Sequence, residues 1–146
     1  GPAGRRHRPD RLAGRIAVEL GKRGTVIGGA RILLLGVAYK KNIEDTRESP
    51  ALYILNRLEA MGAACDYHDP YFPVMPQTRD HAALAGRTSV ELTEAAVQGY
   101  DAVVVTTDHT NVDYDLVGRS ARLILDTRNV FDGVQRKIPA AGFAKI

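Results

Sequence analysis

The chain has 146 residues, enough for one domain with a sizeable core, and its 45% hydrophobic and 25% charged residues are ordinary for a globular protein. No apolar run approaches the roughly 18 residues of a membrane span, no signal peptide is visible, and the single cysteine, Cys65, excludes a disulfide framework and a cysteine-based metal site. These features predict a cytoplasmic protein from a reducing compartment, with no membrane partner.

The net charge of +3 is unevenly distributed along the chain. Residues 1–31 contain eight Lys or Arg against two Asp or Glu, whereas residues 32–146 contain twelve against fifteen. The basic run RRHRPDR within the leading segment is short and has no interleaved aromatic residues, so we interpret it as a solvated segment. Nucleic acid is therefore not expected as a partner.

The first predicted element is a helix over residues 11–23. Leu12, Ile16 and Leu20 recur at every fourth position and define one apolar face. The helix is expected to stop at Gly21 or Gly24, where glycine takes the left-handed conformation without steric cost. We interpret it as the end of a longer helix.

Strands and helices then alternate. The apolar run ILLLG at 32–36 predicts a strand covered on both faces. Further strands are predicted at 63–69, 101–107, 122–127 and 142–146. Helices are predicted from Ser49 and Pro50 to Gly62, over 89–99 with Ser89 as N-cap, and as a short turn over 113–120, with a proline-rich loop at 70–88.

Helical segments between strands indicate right-handed crossovers and a mainly parallel sheet. The sequence therefore predicts an α/β, Rossmann-like three-layer domain that is preceded by the end of a helix. In such an open sheet, ligands bind beyond the carboxyl ends of the strands. Polar residues that follow the predicted strands there are Lys40, Lys41, Asp45, Arg47, Asp69, Asp108, His109, Arg128 and Asn129.

Several cations on one rim suit an anionic ligand such as a diphosphate. Lys40 lies just past a strand end and close to a helix N-terminus, which favours anions. The spacing of Arg47 fits an ion pair with a neighbouring acidic residue equally well. Arg128 directly follows a buried strand, and Asp126 is a candidate for orienting it.

The sequence does not indicate a metal site or a catalytic nucleophile. Asp66, His68 and Asp69 are close together, but side chains alternate along a strand, so that 66 and 68 share one face and 69 lies on the other. No metal site is predicted. His109 has no serine or cysteine nucleophile paired with it, and Cys65 is expected to be a buried, unreactive thiol. No catalytic residue is predicted.

Four patterns occur in a specific order: aromatic–Lys and D-x-R-x-S in LGVAYKKNIEDTRESPAL, D-P-Y in YHDPY, and D-x-R in LILDTRN, which follows VVVTTDH. Together they resemble the C-terminal domain of the UDP-glucose/GDP-mannose dehydrogenase family, over roughly residues 8–132. The resemblance implies enzymes of polysaccharide biosynthesis that oxidise the C6 alcohol of a nucleotide sugar to a carboxylate with NAD.

The resemblance also implies an architecture of an N-terminal NAD-binding domain, a central dimerisation helix and a C-terminal UDP-binding domain. Residues 8–24 correspond to the end of the central helix, and residues 31–146 correspond to the C-terminal domain. The expected partners are a UDP-sugar and the N-terminal and central domains, with a homodimer in the full-length enzyme.

By the same resemblance, Tyr39 and Lys40 match the pair that contacts the nucleotide sugar, Arg47 matches an arginine that reaches NAD, and Arg128 matches an arginine that contacts the substrate. Asp69 is expected either to form a turn or to contact a ligand. The chain lacks GxGxxG and a glycine-flanked cysteine. NAD is therefore expected to bind mainly to the N-terminal domain, and the isolated chain is expected to be inactive.

Two alternatives stay open. The substrate is UDP-glucose or a UDP-N-acetylhexosamine, with a slight preference for the latter from AYK, ESPAL and YHDPYFP. The alternative function is a free-standing nucleotide-binding or regulatory module without catalysis. In such a module the apolar face of the helix at 11–23 packs on its own body, whereas in a part of a larger enzyme it is expected to be exposed or to dimerise.

Overall fold

The computed structural model describes residues 2–38, 49–132 and 142–146, with side chains from Pro9 onward. Within these residues the strands form one parallel sheet in the order β2-β1-β3-β4-β5. The strands are β1 (Arg31–Leu35), β2 (Ala64–His68), β3 (Ala102–Val105), β4 (Ile124–Asp126) and β5 (Phe143–Lys145). The helices are α1 (Pro2–Lys22), α2 (Pro50–Ala60), α3 (Glu94–Gln98) and α4 (Tyr114–Ser120), with a single 3-10 turn at Ala82–Leu84.

The sheet is covered on both faces, which confirms the α/β three-layer prediction. Ile32 and Leu34 of β1 belong to the core beneath α1 and α2. Leu33 and Leu35 belong to a second core on the opposite face, beneath α3 and α4. Because successive side chains of a strand point to opposite faces, a strand buried on both faces reads as an uninterrupted apolar run.

Helix α1 begins nine residues earlier than predicted, at Pro2, because the polar residues before Arg11 carry no apolar periodicity. Its apolar face, with Ala13, Ile16 and Leu20, is buried in the same core as α2. This packing is the outcome expected of a free-standing module, and it differs from the exposed or dimeric face expected in part of a larger enzyme. The face is covered by this chain's own α2.

The start of α2 corrects one predicted cap. Pro50 occupies the first turn of the helix as expected, and Gly62, with φ of 99°, follows its end. The Ser49 side chain makes no capping hydrogen bond. Its hydroxyl instead donates to the carbonyl of Ala38 at 3.4 Å, across the base of the β1–α2 connection.

The start of α3 corrects a second cap. Thr93, not Ser89, is the N-cap, and its hydroxyl accepts a hydrogen bond from the Ala96 N–H at 3.1 Å. Residues 89–92 lie beside β2, where the Val90 N–H donates to the Tyr67 carbonyl at 2.8 Å. The Ser89 N–H donates to the Pro73 carbonyl at 2.9 Å and its hydroxyl accepts from the Asp69 N–H at 2.9 Å, so this serine is tied to the segment after β2 and the helix begins only after Thr93.

The loop over 70–88 is held on α2. The Arg87 guanidinium pairs with both carboxylate oxygens of Glu59, at 2.8 and 3.0 Å, and His81 contacts the Asn56 amide at 2.7 Å.

No helix among the described residues is long and apolar enough to cross a bilayer. The described residues that follow β1, β2 and β3, among them Val37, Asp69 and His109, meet at the carboxyl edge of the sheet.

Candidate nucleotide-binding edge

The strand order places a switch point between β1 and β3. The chain leaves β1 toward α2 on one face and leaves β3 toward α4 on the other face, so the two connections diverge. In open α/β sheets, ligands bind in the crevice that this divergence creates at the carboxyl ends of the strands. The candidate site is this edge of the sheet.

Three of the four predicted binding residues, Tyr39, Lys40 and Arg47, lie outside the described residues, and their roles stay predictions. Arg128 is described. It is exposed immediately after β4, at the predicted edge, and its guanidinium makes no hydrogen bond or ion pair with any residue in the described ranges. Within the described ranges, Arg128 is thus an exposed cation at the carboxyl edge.

At Gly36 the carboxyl ends of β1 and β3 approach each other closely. This glycine has φ of 94°, and a Cβ at this position would lie 2.4 Å from the Cβ of Thr107. The single hydrogen of the Thr106 hydroxyl is shared between the carbonyls of Leu35 and Gly36, which holds the two strand ends together. The glycine is required by packing between strands as well as by its backbone conformation.

Ala38 is held from both sides of the same edge. Its carbonyl accepts hydrogen bonds from the Thr107 hydroxyl at 2.9 Å and from the Ser49 hydroxyl at 3.4 Å. Thr107 and Ser49 are both buried. The last described residue before Tyr39 and the first described residue after Glu48 are therefore tied to each other and to β3.

Asp69, at the end of β2, is bonded to residues that follow β1 and β3. It is 1% exposed. Its Oδ1 accepts from the Tyr71 N–H at 2.8 Å, and its Oδ2 accepts from the Val37 N–H at 2.8 Å and lies 2.9 Å from His109 Nε2. The turn-forming role, one of its two predicted alternatives, is confirmed by the bond to Tyr71.

Burial alone would raise the pKa of the Asp69 carboxyl. The hydrogen bond with His109 and those from the backbone of Val37 and Tyr71 outweigh burial and lower the pKa of Asp69 below its ordinary value. The carboxylate is thus ionised at neutral pH, with its oxygens bonded inside the fold. It serves as an anchor and not as a proton donor.

His109 is fully buried beneath Tyr71, with ring centroids 4.7 Å apart, and its carbonyl accepts from the Tyr114 hydroxyl at 2.7 Å. Sequence analysis placed both His109 and Asp69 at the rim but did not pair them. They are 40 residues apart, and only the parallel register of β2 and β3 on either side of β1 brings them together. The one available signal was that each closely follows a strand.

Asp126 orients Arg128 through the backbone. The carboxylate is 1% exposed at the end of β4. Its Oδ1 accepts from the Arg128 N–H at 2.9 Å, and its Oδ2 accepts from the Phe131 N–H at 3.1 Å. Asn129 between them has φ of 62°. The Arg128 Cα is therefore fixed while its guanidinium reaches solvent.

Other titratable residues near the sheet are used structurally. Burial raises the pKa of the Cys65 thiol to about 12, in agreement with the prediction of an unreactive cysteine. Asp66 accepts from the Tyr100 hydroxyl at 2.7 Å, and the His68 ring contacts the Val90 carbonyl at 2.7 Å. Within the described part of the chain, no three His, Cys, Asp or Glu side chains are grouped to hold a metal ion.

Residues 33–133 match the UDP binding domain of the UDP-glucose/GDP-mannose dehydrogenase family. The UDP-N-acetyl-D-mannosamine dehydrogenase of Pyrococcus horikoshii is 31% identical over 92% of this chain and 29% of its own length. The UDP-glucose 6-dehydrogenase YwqF of Bacillus subtilis is 32% identical over 73% of this chain and 23% of its own length. This chain thus spans less than a third of either relative.

Solved structures agree in fold. The structure of the UDP-D-ManNAc dehydrogenase from Pyrococcus horikoshii superimposes with a TM-score of 0.69 and 29% identity, over 94% of this chain and 30% of that one. A UDP-glucose dehydrogenase from Pyrobaculum islandicum gives a TM-score of 0.64 and 26% identity over the same shares. The chain therefore belongs to the UDP-glucose/GDP-mannose dehydrogenase family, and residues 33–133 are its UDP binding domain.

Proposed function

We propose that this chain is the substrate-binding part of an NAD-dependent nucleotide-sugar 6-dehydrogenase, which oxidises the C6 alcohol of a UDP-sugar to a uronic acid. The observation that carries the proposal is the match of residues 33–133 to the family's UDP binding domain. The switch point at the carboxyl edge and the exposed Arg128 support the same assignment.

In this proposal the diphosphate of the UDP-sugar lies at the carboxyl edge. Arg128 supplies a planar pair of donors and Lys40 supplies a compact charge, and both form charge-assisted hydrogen bonds with phosphate oxygens. Tyr39 contacts the nucleotide sugar, and Arg47 reaches toward NAD. The relatives include UDP-N-acetyl-D-mannosamine and UDP-glucose dehydrogenases at similar identity, so the proposal extends to both sugars.

The first β–α turn does not fit the pyrophosphate of NAD. A dinucleotide fingerprint needs several glycines so that the backbone can approach the phosphates. Among the described residues of this turn, Gly36 is the one glycine, and the space beside it is filled by Thr107 of β3. We therefore propose that NAD, which accepts the hydride when bound, is held mainly by another domain of the enzyme.

We further propose that the enzyme acts in the cytoplasm as a homodimer and supplies uronic acids for polysaccharide biosynthesis. Residues 8–24 are proposed to form the end of its central connecting helix, and residues 31–146 its C-terminal domain. These assignments extend the family membership to the whole enzyme and are separate from the local UDP site.

The proposal predicts that the 146 residues alone do not reduce NAD in the presence of UDP-glucose or a UDP-N-acetylhexosamine. The measurement is the ultraviolet absorbance of reduced nicotinamide, with a full-length family member as the positive control. We expect the absorbance to rise at the same rate as in a sample without protein. Turnover by this chain alone would mean that the chemistry had been assigned to the wrong part of the enzyme.

The UDP site itself is tested by titration calorimetry of the chain with UDP. We expect Arg128→Ala and Lys40→Ala each to weaken the affinity by about 10- to 100-fold, since each removes a hydrogen-bonded charge. Arg122, at the opposite edge of the sheet, is exposed and 3.8 Å from Asp101. Arg122→Ala is the matched control, and its affinity should equal that of the unmodified chain.

Equal UDP affinities for the unmodified chain, Arg128→Ala and Lys40→Ala would remove both residues from the site. A sharper version of the experiment compares UDP with uridine. Because uridine has no phosphates, its binding should be insensitive to both substitutions, and a loss of uridine affinity would point to a damaged fold.

One observation favours the alternative of a free-standing nucleotide-binding module without catalysis. The apolar face of α1 packs on the body of this same chain, as that alternative predicts. The coding sequence upstream of residue 1 separates the two functions. A strand–turn–helix with GxGxxG and a glycine-flanked cysteine supports the dehydrogenase, and their absence supports the module.

A further inference from the structure

The turn that carries Arg128 is anchored more firmly than an exposed loop requires. Asp126 is buried at the end of β4 and uses both carboxylate oxygens on backbone donors of the turn, at 2.9 Å from the Arg128 N and 3.1 Å from the Phe131 N. A buried carboxylate is costly unless its oxygens are hydrogen-bonded. Here both are bonded to the short segment that presents one arginine.

The other residues of the turn are fixed as well. The Thr127 hydroxyl donates to the Val105 carbonyl at the end of β3. Phe131 is buried and packs edge-on against Tyr114 and Phe143, with centroids 6.2 and 5.8 Å away. Asn129 sits in the left-handed region, with φ of 62°, which a non-glycine residue rarely adopts unless its surroundings impose it.

This restraint includes the backbone of Arg128 but not its side chain. Its backbone N–H is bonded to Asp126, but its guanidinium has no hydrogen bond or ion pair with the described residues. Because the backbone of Arg128 is already ordered, binding an anion costs the conformational freedom of its side chain but not that of its backbone.

We propose that Asp126 is a positioning residue of the UDP site and that it sets the place from which Arg128 reaches the diphosphate. The inference rests on the proposed function. Asp126 is only 1% exposed and has both carboxylate oxygens bonded to the turn, so it acts through the backbone of Arg128 and not by touching the ligand. Thr127 supports the same turn from β3.

The test is a double-mutant cycle on UDP affinity, with Asp126→Asn and Arg128→Ala made singly and together. Asparagine retains one acceptor oxygen in place of two, so the turn loses one of its two anchoring bonds. With Arg128 present, Asp126→Asn is expected to weaken UDP binding about tenfold, within the range measured for coupled neighbours. In the Arg128→Ala background the same change is expected to have no effect.

Asp101→Asn is the matched control. Asp101 also accepts a backbone hydrogen bond, from the Arg31 N–H at 2.8 Å, but it lies at the opposite edge of the sheet. Thermal unfolding is recorded for every variant. Asp101→Asn should lower the melting temperature and leave UDP affinity unchanged, which separates lost stability from lost positioning.

A second perturbation protects the test if Asp126→Asn fails to fold. Thr127→Val removes the hydroxyl bond to Val105 with little change in shape, and its effect on UDP affinity should also vanish in the Arg128→Ala background. Equal losses in both backgrounds, or no loss with Arg128 present, would overturn the positioning role and leave the UDP site intact. Absence of UDP binding by the unmodified chain would instead overturn the proposed function, and the positioning role with it.

Discussion

Replacement of Gly36 by alanine is expected to lower the free energy of unfolding by about 3–5 kcal/mol, as the sum of left-handed strain and overpacking. The φ of 94° is unfavourable for any residue with a Cβ. The added methyl group would also lie 2.8 and 2.9 Å from the carbonyl oxygen and Cα of Thr107. These are backbone atoms of the β3 connection, so no side-chain rotation relieves the clash.

Urea denaturation measures this effect, and Gly86→Ala is the matched control. Gly86 has φ of 86°, and no atom lies within 4 Å of a Cβ built there. Its replacement carries the conformational cost alone, about 1–2 kcal/mol. If the two substitutions proved equally destabilising, the close approach of β1 to β3 would not be the reason for glycine at position 36.

The fold could be predicted because its main signals are local. The apolar run of β1 indicated burial on both faces, and the alternation of strands with helices indicated parallel pairing. The two wrong helix caps fall where tertiary contacts override a local pattern. The serine at 89 fits a helix cap in sequence, but its hydroxyl accepts from the Asp69 N–H at 2.9 Å and the helix starts later.

The candidate site could be predicted only as a set of residues that follow strands. Arg128 was identified in this way, and its position at the carboxyl edge agrees with the prediction. The buried network beneath the edge was not identified, because hydrogen bonds between residues as distant as Val37, Asp69 and His109 leave no local pattern. Such pairings follow from strand order and register, which one sequence does not specify.

Asp69→Asn is the second substitution for which we expect a large effect. The carboxylate accepts three hydrogen bonds from Val37, Tyr71 and His109, and an amide has only one oxygen to accept them. Each buried donor that is left without an acceptor costs about 1–3 kcal/mol. We expect a loss of this size in urea denaturation at neutral pH.

The same variant should also change how stability depends on pH. Because the folded state lowers the pKa of Asp69, the unfolded chain binds its proton more readily. The stabilisation is complete above the unfolded pKa of about 3.8 and is lost as the pH falls through the lower folded pKa. In Asp69→Asn this portion of the acid-induced loss should be absent, so that the curve below pH 4 becomes flatter.

Among the described residues, the titrations of His81 and Glu19 must be separated from that of Asp69 in this measurement. Burial lowers the pKa of His81, so the unfolded chain binds a proton at this residue more readily than the folded chain does. The resulting loss of stability begins as the pH falls below about 6.5, which is well above the range in which Asp69 titrates. Glu19 also has a lowered pKa, caused by hydrogen bonds with Arg23 and Lys22 on the surface of α1. Because exposed ion pairs contribute little, Glu19→Gln should leave the acid limb almost unchanged. An acid limb equally steep in Asp69→Asn and the unmodified chain would show that Asp69 does not anchor this edge as an ionised carboxylate.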